Sequence, residues 1–138
     1  GSLFKEYKDL VIEKKIEHNI SFIGNIKDIP EFLSILDIYI QPSITEGFPL
    51  SVLEAMASGL PIICSNAGGL KHMIYHKKNG ILYKSGDIYS LYNGLLNMLS
   101  MSANELCLLG NSAKKTVEDK FSINNSAKRY NAIYNGLL

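Results

Sequence analysis

Little in this chain points to nucleic acid, membrane or metal. Its 14 Lys and Arg nearly balance 13 Asp and Glu, leaving a formal net charge of +1 and no bulk attraction to polyanions. No Lys/Arg cluster interleaves with aromatics, which argues against a basic binding stripe and any nucleic-acid partner. No apolar run approaches the roughly 20 residues that a membrane-spanning helix needs. No secretory signal pattern opens the sequence. The cysteines, Cys64 and Cys107, lack metal-ligand spacing and read as small inert thiols in a reduced, cytoplasmic setting. His72 and His76 stand one helical turn apart without a third ligand, and His18 is isolated, so no metal is expected. The GxGxxG and P-loop fingerprints are missing, and so is any Ser/His/Asp or Cys/His nucleophile arrangement. Two matches to the Asn-x-Ser/Thr glycosylation pattern, at Asn19 and Asn124, are expected from chance in an Asn-rich chain.

What is present is an ordinary globular composition: 138 residues, 46% hydrophobic and 20% charged, the size of one domain or part of one. Such a chain buries roughly two thirds of the surface it exposes when unfolded. Residue periodicity predicts a helix over 3–18 with Leu3, Tyr7, Leu10, Val11 and Lys14 along one side, then a short strand over 20–23 ended by Gly24. Asp28-Ile29-Pro30-Glu31 reads as a capped helix start, with the helix running to about Leu36. Strands are expected at 37–41, 61–65 and 80–83, separated by helices at 49–58 and 70–76. Asp87, Ser102 and Ser122 cap three further helices. The second of these carries Leu106, Leu109, Ala113 and Val117 inward, and the last carries Ile123, Ala127, Tyr130, Tyr134 and Leu137 inward. Strands alternating with helices indicate an α/β, Rossmann-like fold: a parallel sheet with helices on both faces.

Ligands of such sheets sit beyond the carboxyl ends of the strands. Three glycine-bearing loops occupy that position, 24–27, 42–48 and 65–70. The middle one holds Glu46 and passes through Gly47-Phe48-Pro49-Leu50 into a helix whose first N–H groups lack partners, a natural anion site. Pro49 has no N–H, so Gly47, Phe48, Leu50 and Ser51 supply the donors. Gly68-Gly69 offers a second helix end that a ligand can approach closely, unless the two glycines only make a tight turn. Glu46 is placed to accept hydrogen bonds from sugar hydroxyls or to stabilise developing positive charge; a solvated loop carboxylate is the plainer alternative. Glu54 lies on the helix in a polar stripe with Ser51 and Ser58, opposite Val52, Ala55, Met56 and Gly59. It stands roughly 7 Å from the helix start by the standard rise, within reach of a ribose if phosphate fills that start.

The run from Pro42 to Ala57, PSITEGFPLSVLEAMA, followed by Gly59-Leu60-Pro61 and Gly68-Gly69, resembles the signature of family 4 (group 1) retaining glycosyltransferases. The E-x7-E element is Glu46 to Glu54, and the resemblance extends to Asn19–Gly24, Asn79–Tyr83, Gly86-Asp87 and Phe121-Ser122. It implies the C-terminal, donor-binding domain of a GT-B enzyme that moves a sugar from a nucleotide-sugar to a sugar or lipid-linked acceptor, without a catalytic metal or other cofactor. It also implies site roles. Glu46 is the catalytic carboxylate on the donor sugar. Gly47, Phe48, Pro49 and Leu50 meet sugar and phosphate. Glu54 takes the ribose hydroxyls, Gly24, Asn25 and Ile26 border the base, and Gly68 and Gly69 complete the phosphate site.

Departures from the family pattern temper that picture. The family's first donor-domain strands, with a diphosphate-neutralising Arg and Lys, have no counterpart here, nor does the N-terminal acceptor domain. His72 replaces the Glu that many members carry three positions after the Gly-Gly pair. The resemblance therefore predicts a part that binds nucleotide weakly without turning over, with an open sheet edge able to pair with a second copy as a dimer. Cell-surface polysaccharide or glycolipid synthesis, at the inner face of the cell membrane, is the setting it suggests. A non-catalytic nucleotide-binding or interaction module of the same fold is the main alternative. A flavodoxin-like module ranks below both for want of an acidic pocket or a flavin loop.

Overall fold

Ile62-Ile63-Cys64-Ser65 is the only four-residue strand among the described residues and is wholly buried, as expected for a central strand covered on both sides. A computed structural model describes residues 3–136 of the chain. In it β1 (Tyr39–Gln41), β2 (Ile62–Ser65) and β3 (Ile81–Tyr83) form a parallel sheet in the order β1-β2-β3. Tyr39 stands opposite Ile62 and Gln41 opposite Cys64; Ile63 stands opposite Ile81 and Ser65 opposite Tyr83.

Side-chain alternation along β2 divides the core in two. Ile62 and Cys64 face a cluster with Val52, Ala55, Met56, Leu70, Met73 and Ala113. Ile63 faces a second cluster with Ile81, Tyr83, Met98 and Leu109. The first cluster is supplied by α3 (Leu50–Ala57), α4 (Leu70–Met73) and the middle of α6 (Ala103–Lys120); the second by α5 (Ile88–Leu99) and the start of α6. Helices thus cover both faces, as the sequence pattern predicts.

The caps read from sequence form. Asp28 accepts the Glu31 N–H at the head of α2 (Ile29–Ser34), and Asp87 accepts the Ser90 N–H at the head of α5. Ser102 and Glu105 close a reciprocal capping box on α6. At the end of α3, Gly59 at φ +76° lets its own N–H bond Met56 O and the Leu60 N–H bond Ala55 O, a Schellman stop.

Four expectations fail, the first three for want of a neighbour or a visible stop. The first helix, α1 (Phe4–Glu13), ends well before His18. Lys15 adopts φ +56° and the Ile16 N–H reaches back to Val11 O, the same stop without glycine to announce it. Of its expected inner side only Val11 is buried. Residues 20–23 run extended but form no strand, because no described segment lies alongside to exchange backbone bonds; an edge contact between Phe22 and Phe4 tethers them to α1. The last helix, α7 (Ile123–Gly136), has no buried residue, and its expected inner side is open, with Ile123 at 86%, Tyr130 at 63% and Tyr134 at 64% exposure. Leu137, expected on that side, lies outside the described residues. The helix expected over 70–76 also shortens to α4.

Candidate functional site

The carboxyl ends of β1, β2 and β3 each pass into a loop, and short polar side chains bind the three loops together. Ser65, the last residue of β2, donates its hydroxyl to Ser43 O. Ser85 donates to Ile44 O at 3.1 Å, and the Ser85 N–H in turn donates to Asn66 Oδ1 at 2.9 Å. The Asn66 N–H donates to Tyr83 O at 2.9 Å. The loop that carries Glu46 is therefore fixed to the ends of the other two strands. Ser65, Asn66 and Ser85 escaped the sequence reading; the usable signal was a hydroxyl residue closing the otherwise apolar run 62–65.

Glu46 sits half-buried in that loop, and its Oε2 accepts the Ser43 hydroxyl at 3.1 Å. Behind it, Gly69 donates its N–H to the carbonyls of Glu46 and Gly47 at 3.3 and 3.1 Å. The space left by the two glycines is already occupied. A Cβ on Gly68 would run into Glu46 O, and one on Gly69 into Gly47 O. The missing side chains of the Gly68-Gly69 pair thus admit the Glu46 loop itself, and α4 is a single turn. The glycines shape the site from behind.

The helix end in front is open. Pro49 is buried and caps α3, which starts at Leu50, one position later than the sequence predicts. The N–H groups of Val52 and Leu53 return to Pro49 O, whereas those of Gly47, Phe48, Leu50 and Ser51 donate to no described residue. Phe48 is half-exposed, its ring 5.9 Å from that of Phe121 at the end of α6. Glu54 lies on the exposed side of α3 beside Ser51 and Ser58, opposite buried Val52, Ala55 and Met56, and its carboxylate has no partner among the described residues. Gly24, at φ +74°, begins an exposed turn with Asn25 and the half-buried Ile26. No hydrogen bond joins that turn to the Glu46 loop.

On the β3 side an apolar groove of about 330 Å³, lined by Pro42, Ile44, Tyr83, Ile88 and Leu91, flanks the same loop. Burial pushes the Cys64 thiol up to about 12 and, together with Cys64 nearby, raises the Tyr83 phenol. Cys64 is therefore inert as expected, but Cys107 is exposed on α6, so burial does not protect it. His76 accepts the Leu82 N–H on Nδ1 at 3.1 Å, a backbone role beside β3. Among the described residues no group of three His, Cys, Asp or Glu converges, and no helix is long and apolar enough to cross a membrane.

Comparison with known proteins gives this arrangement relatives. The sequence model of glycosyl transferases group 1 matches residues 1–116. An uncharacterized glycosyltransferase of Methanocaldococcus jannaschii is 32% identical over 97% of this chain and 35% of its own length. The UDP-Gal:alpha-D-GlcNAc-diphosphoundecaprenol alpha-1,3-galactosyltransferase of Escherichia coli is 32% identical over 71% of this chain and 26% of its own. The structure of sucrose-phosphate synthase from Thermosynechococcus elongatus superimposes with a TM-score of 0.88 at 27% identity, over 99% of this chain and 35% of that one. The chain spans about a third of the length of such relatives.

Proposed function

Since the chain belongs to the group 1 glycosyl transferases, we propose that it is the donor-binding part of a retaining enzyme. That enzyme takes a sugar from a nucleotide-sugar and passes it to a sugar or lipid-linked acceptor. The observation that carries the reading is one loop and helix end. Glu46 is held at the carboxyl end of β1, next to four backbone N–H groups that have no acceptor among the described residues. The donors suit the diphosphate, whose charge the helix dipole favours. Glu46, accepting from Ser43 through one oxygen, keeps lone pairs for donor-sugar hydroxyls and lies where positive charge at the anomeric carbon would be stabilised. Glu54, farther along the exposed side of α3, serves the ribose, and Gly24, Asn25 and Ile26 border the base. No metal or other cofactor takes part in the chemistry on this reading; the amides and basic residues elsewhere in the protein neutralise the diphosphate.

Relatives that act on a diphosphoundecaprenol-linked sugar and in lipopolysaccharide core biosynthesis support a glycolipid or polysaccharide product, made at the cytoplasmic face of the membrane. On this reading the chain is the C-terminal domain, which pairs with an N-terminal acceptor domain. On its own it binds without turnover, and the free edge of β1 offers a route to a dimer that sedimentation at high concentration would reveal. His72, exposed where many members carry a glutamate, favours the alternative of a binding module without catalysis.

Titration of the full-length protein with UDP-galactose, UDP-glucose, GDP-mannose and ADP-glucose tests the reading. Saturable binding that Glu54→Ala weakens by roughly 10- to 100-fold is expected, the worth of a hydrogen bond to a charged group. Absence of binding to every one of these donors would sink it.

A further inference from the structure

Glu46 does not stand alone on its loop. Tyr39, Gln41 and Ser43 occupy alternate positions along β1 and its extension, so their side chains fall on one side of the strand. They are joined in order. The Tyr39 hydroxyl donates to Gln41 Oε1 at 2.9 Å, Gln41 Nε2 donates to Ser43 Oγ at 2.8 Å, and the Ser43 hydroxyl donates to Glu46 Oε2 at 3.1 Å. Every donor points the same way, toward the carboxylate. All three bonds are part-buried, where chained hydrogen bonds polarise one another and strengthen the last. Nothing of the kind serves Glu54.

We propose that Tyr39, Gln41 and Ser43 form a positioning relay that sets the rotamer of Glu46 for the donor sugar. The proposal rests on the reading of Glu46 as the sugar carboxylate. Ser43 can donate only one proton. With Gln41 Nε2 filling one lone pair of its oxygen, that proton is directed to Glu46 rather than to a neighbouring carbonyl. Ser43 is itself fixed at its backbone, because its carbonyl accepts from Ser65. Strand, relay and loop therefore hold one oxygen of Glu46 and leave the other without a partner among the described residues. The relay touches the sugar carboxylate and not the helix end, so it governs how much the sugar adds to nucleotide binding.

Calorimetry on the full-length protein separates these roles, with UDP-galactose, UDP-glucose, GDP-mannose and ADP-glucose compared with free UDP, GDP and ADP. The readout is the ratio of nucleotide-sugar to nucleotide affinity. Ser43→Ala should lower that ratio about tenfold, ~1.4 kcal/mol, with nucleotide affinity unchanged, and Ser43→Thr should restore it. Gln41→Leu should lower it about threefold. Tyr39→Phe, which removes one oxygen and keeps the ring, should lower it about twofold and decides the matter if Ser43→Ala does not fold. Variants that match the wild-type ratio, or that lose nucleotide affinity in step, would overturn the relay alone. A wild-type protein that binds the nucleotides but gains nothing from the sugar would overturn the role of Glu46 and the relay with it. One that binds none of the probes would overturn the functional reading beneath both.

Discussion

Replacing Gly68 by alanine should damage the site more than its exposure suggests, and two other glycines calibrate the effect. Gly86 has φ +75° with open space around a would-be Cβ, so Gly86→Ala meets only the left-handed backbone penalty, roughly 1–2 kcal/mol. Part of that is offset by the entropy an alanine removes from the unfolded chain, about 0.4–1 kcal/mol. Gly47 has open space too and no left-handed φ, so Gly47→Ala should leave stability unchanged or slightly raised. Gly68 combines φ +46° with a Cβ that would overlap Glu46 O and lie 2.8 Å from its carbonyl carbon. A backbone carbonyl cannot swing aside as a flexible side chain can. The loop must move, and it would lose the bifurcated Gly69 N–H bond to Glu46 and Gly47, worth about 1 kcal/mol in all. Gly68→Ala should therefore cost about 2 kcal/mol, against about 0.5–1 for Gly86→Ala once both backbone terms are counted. Urea unfolding monitored by circular dichroism measures the ladder. Equal costs at Gly68 and Gly86 would refute the claim that Gly68 exists to admit the Glu46 loop.

Asn79 is 1% exposed; it accepts the Tyr75 N–H at 2.6 Å and donates to Met73 O and Thr116 Oγ1 at 3.1 and 3.0 Å. Asn79→Ala strands those partners and should cost about 2–4 kcal/mol in urea unfolding, the penalty of buried groups left unsatisfied. Glu105, its carboxyl lowered by the Ser102 hydroxyl and N–H, contributes to α6 fully above its ordinary value of 4.5. That contribution is lost as pH falls through the depressed folded value, so the stability difference between wild type and Glu105→Gln should shrink on acidification below about that pH. With iodoacetamide the native protein should take up label at exposed Cys107 and none at Cys64, whose thiol burial raises to about 12; urea should open the second site.

Motif and caps carried most of what could be read from the sequence. Asp28, Asp87 and the Ser102/Glu105 pair act within one helical turn of themselves, so their geometry is local and legible. The two-sided sheet followed from the uninterrupted apolar strands, and the family resemblance agreed with it. Long-range bonds were another matter. Ser65 to Ser43 spans 22 positions and Ser85 to Ile44 spans 41, and no spacing rule predicts such pairs of serine and carbonyl. The Gly68-Gly69 pair shows the same limit from the other side. Glycine announces close approach, but only coordinates say what approaches, and here it is the Glu46 loop. Amphipathic periodicity likewise names a face without naming its occupant. The apolar side read on α7 is there, but no described element lies against it.

The two glutamates of the signature, equal in the sequence, differ in physical character once folded. Glu46 is half-buried, accepts from Ser43 and sits on a loop fixed by Ser65, Ser85 and Gly69, so much of its conformational freedom is already spent in folding. Glu54 is exposed and unpaired among the described residues, on a helix whose backbone is rigid but whose side chain is free. A free glutamate loses up to about 1.5–2 kcal/mol of rotamer entropy when a ligand orders it; an anchored one loses much less. A carboxylate on the reacting sugar must hold its geometry as charge develops, because stabilisation of a transition state depends on dipoles and charges that need not reorganise. A carboxylate on the ribose has only to bind, and can accept the entropic loss on each encounter. On the proposed roles, the same spacing of eight positions would join a preorganised group at the chemistry to an adaptable one at the handle, and it is the folded neighbours of Glu46, not the motif, that make the distinction.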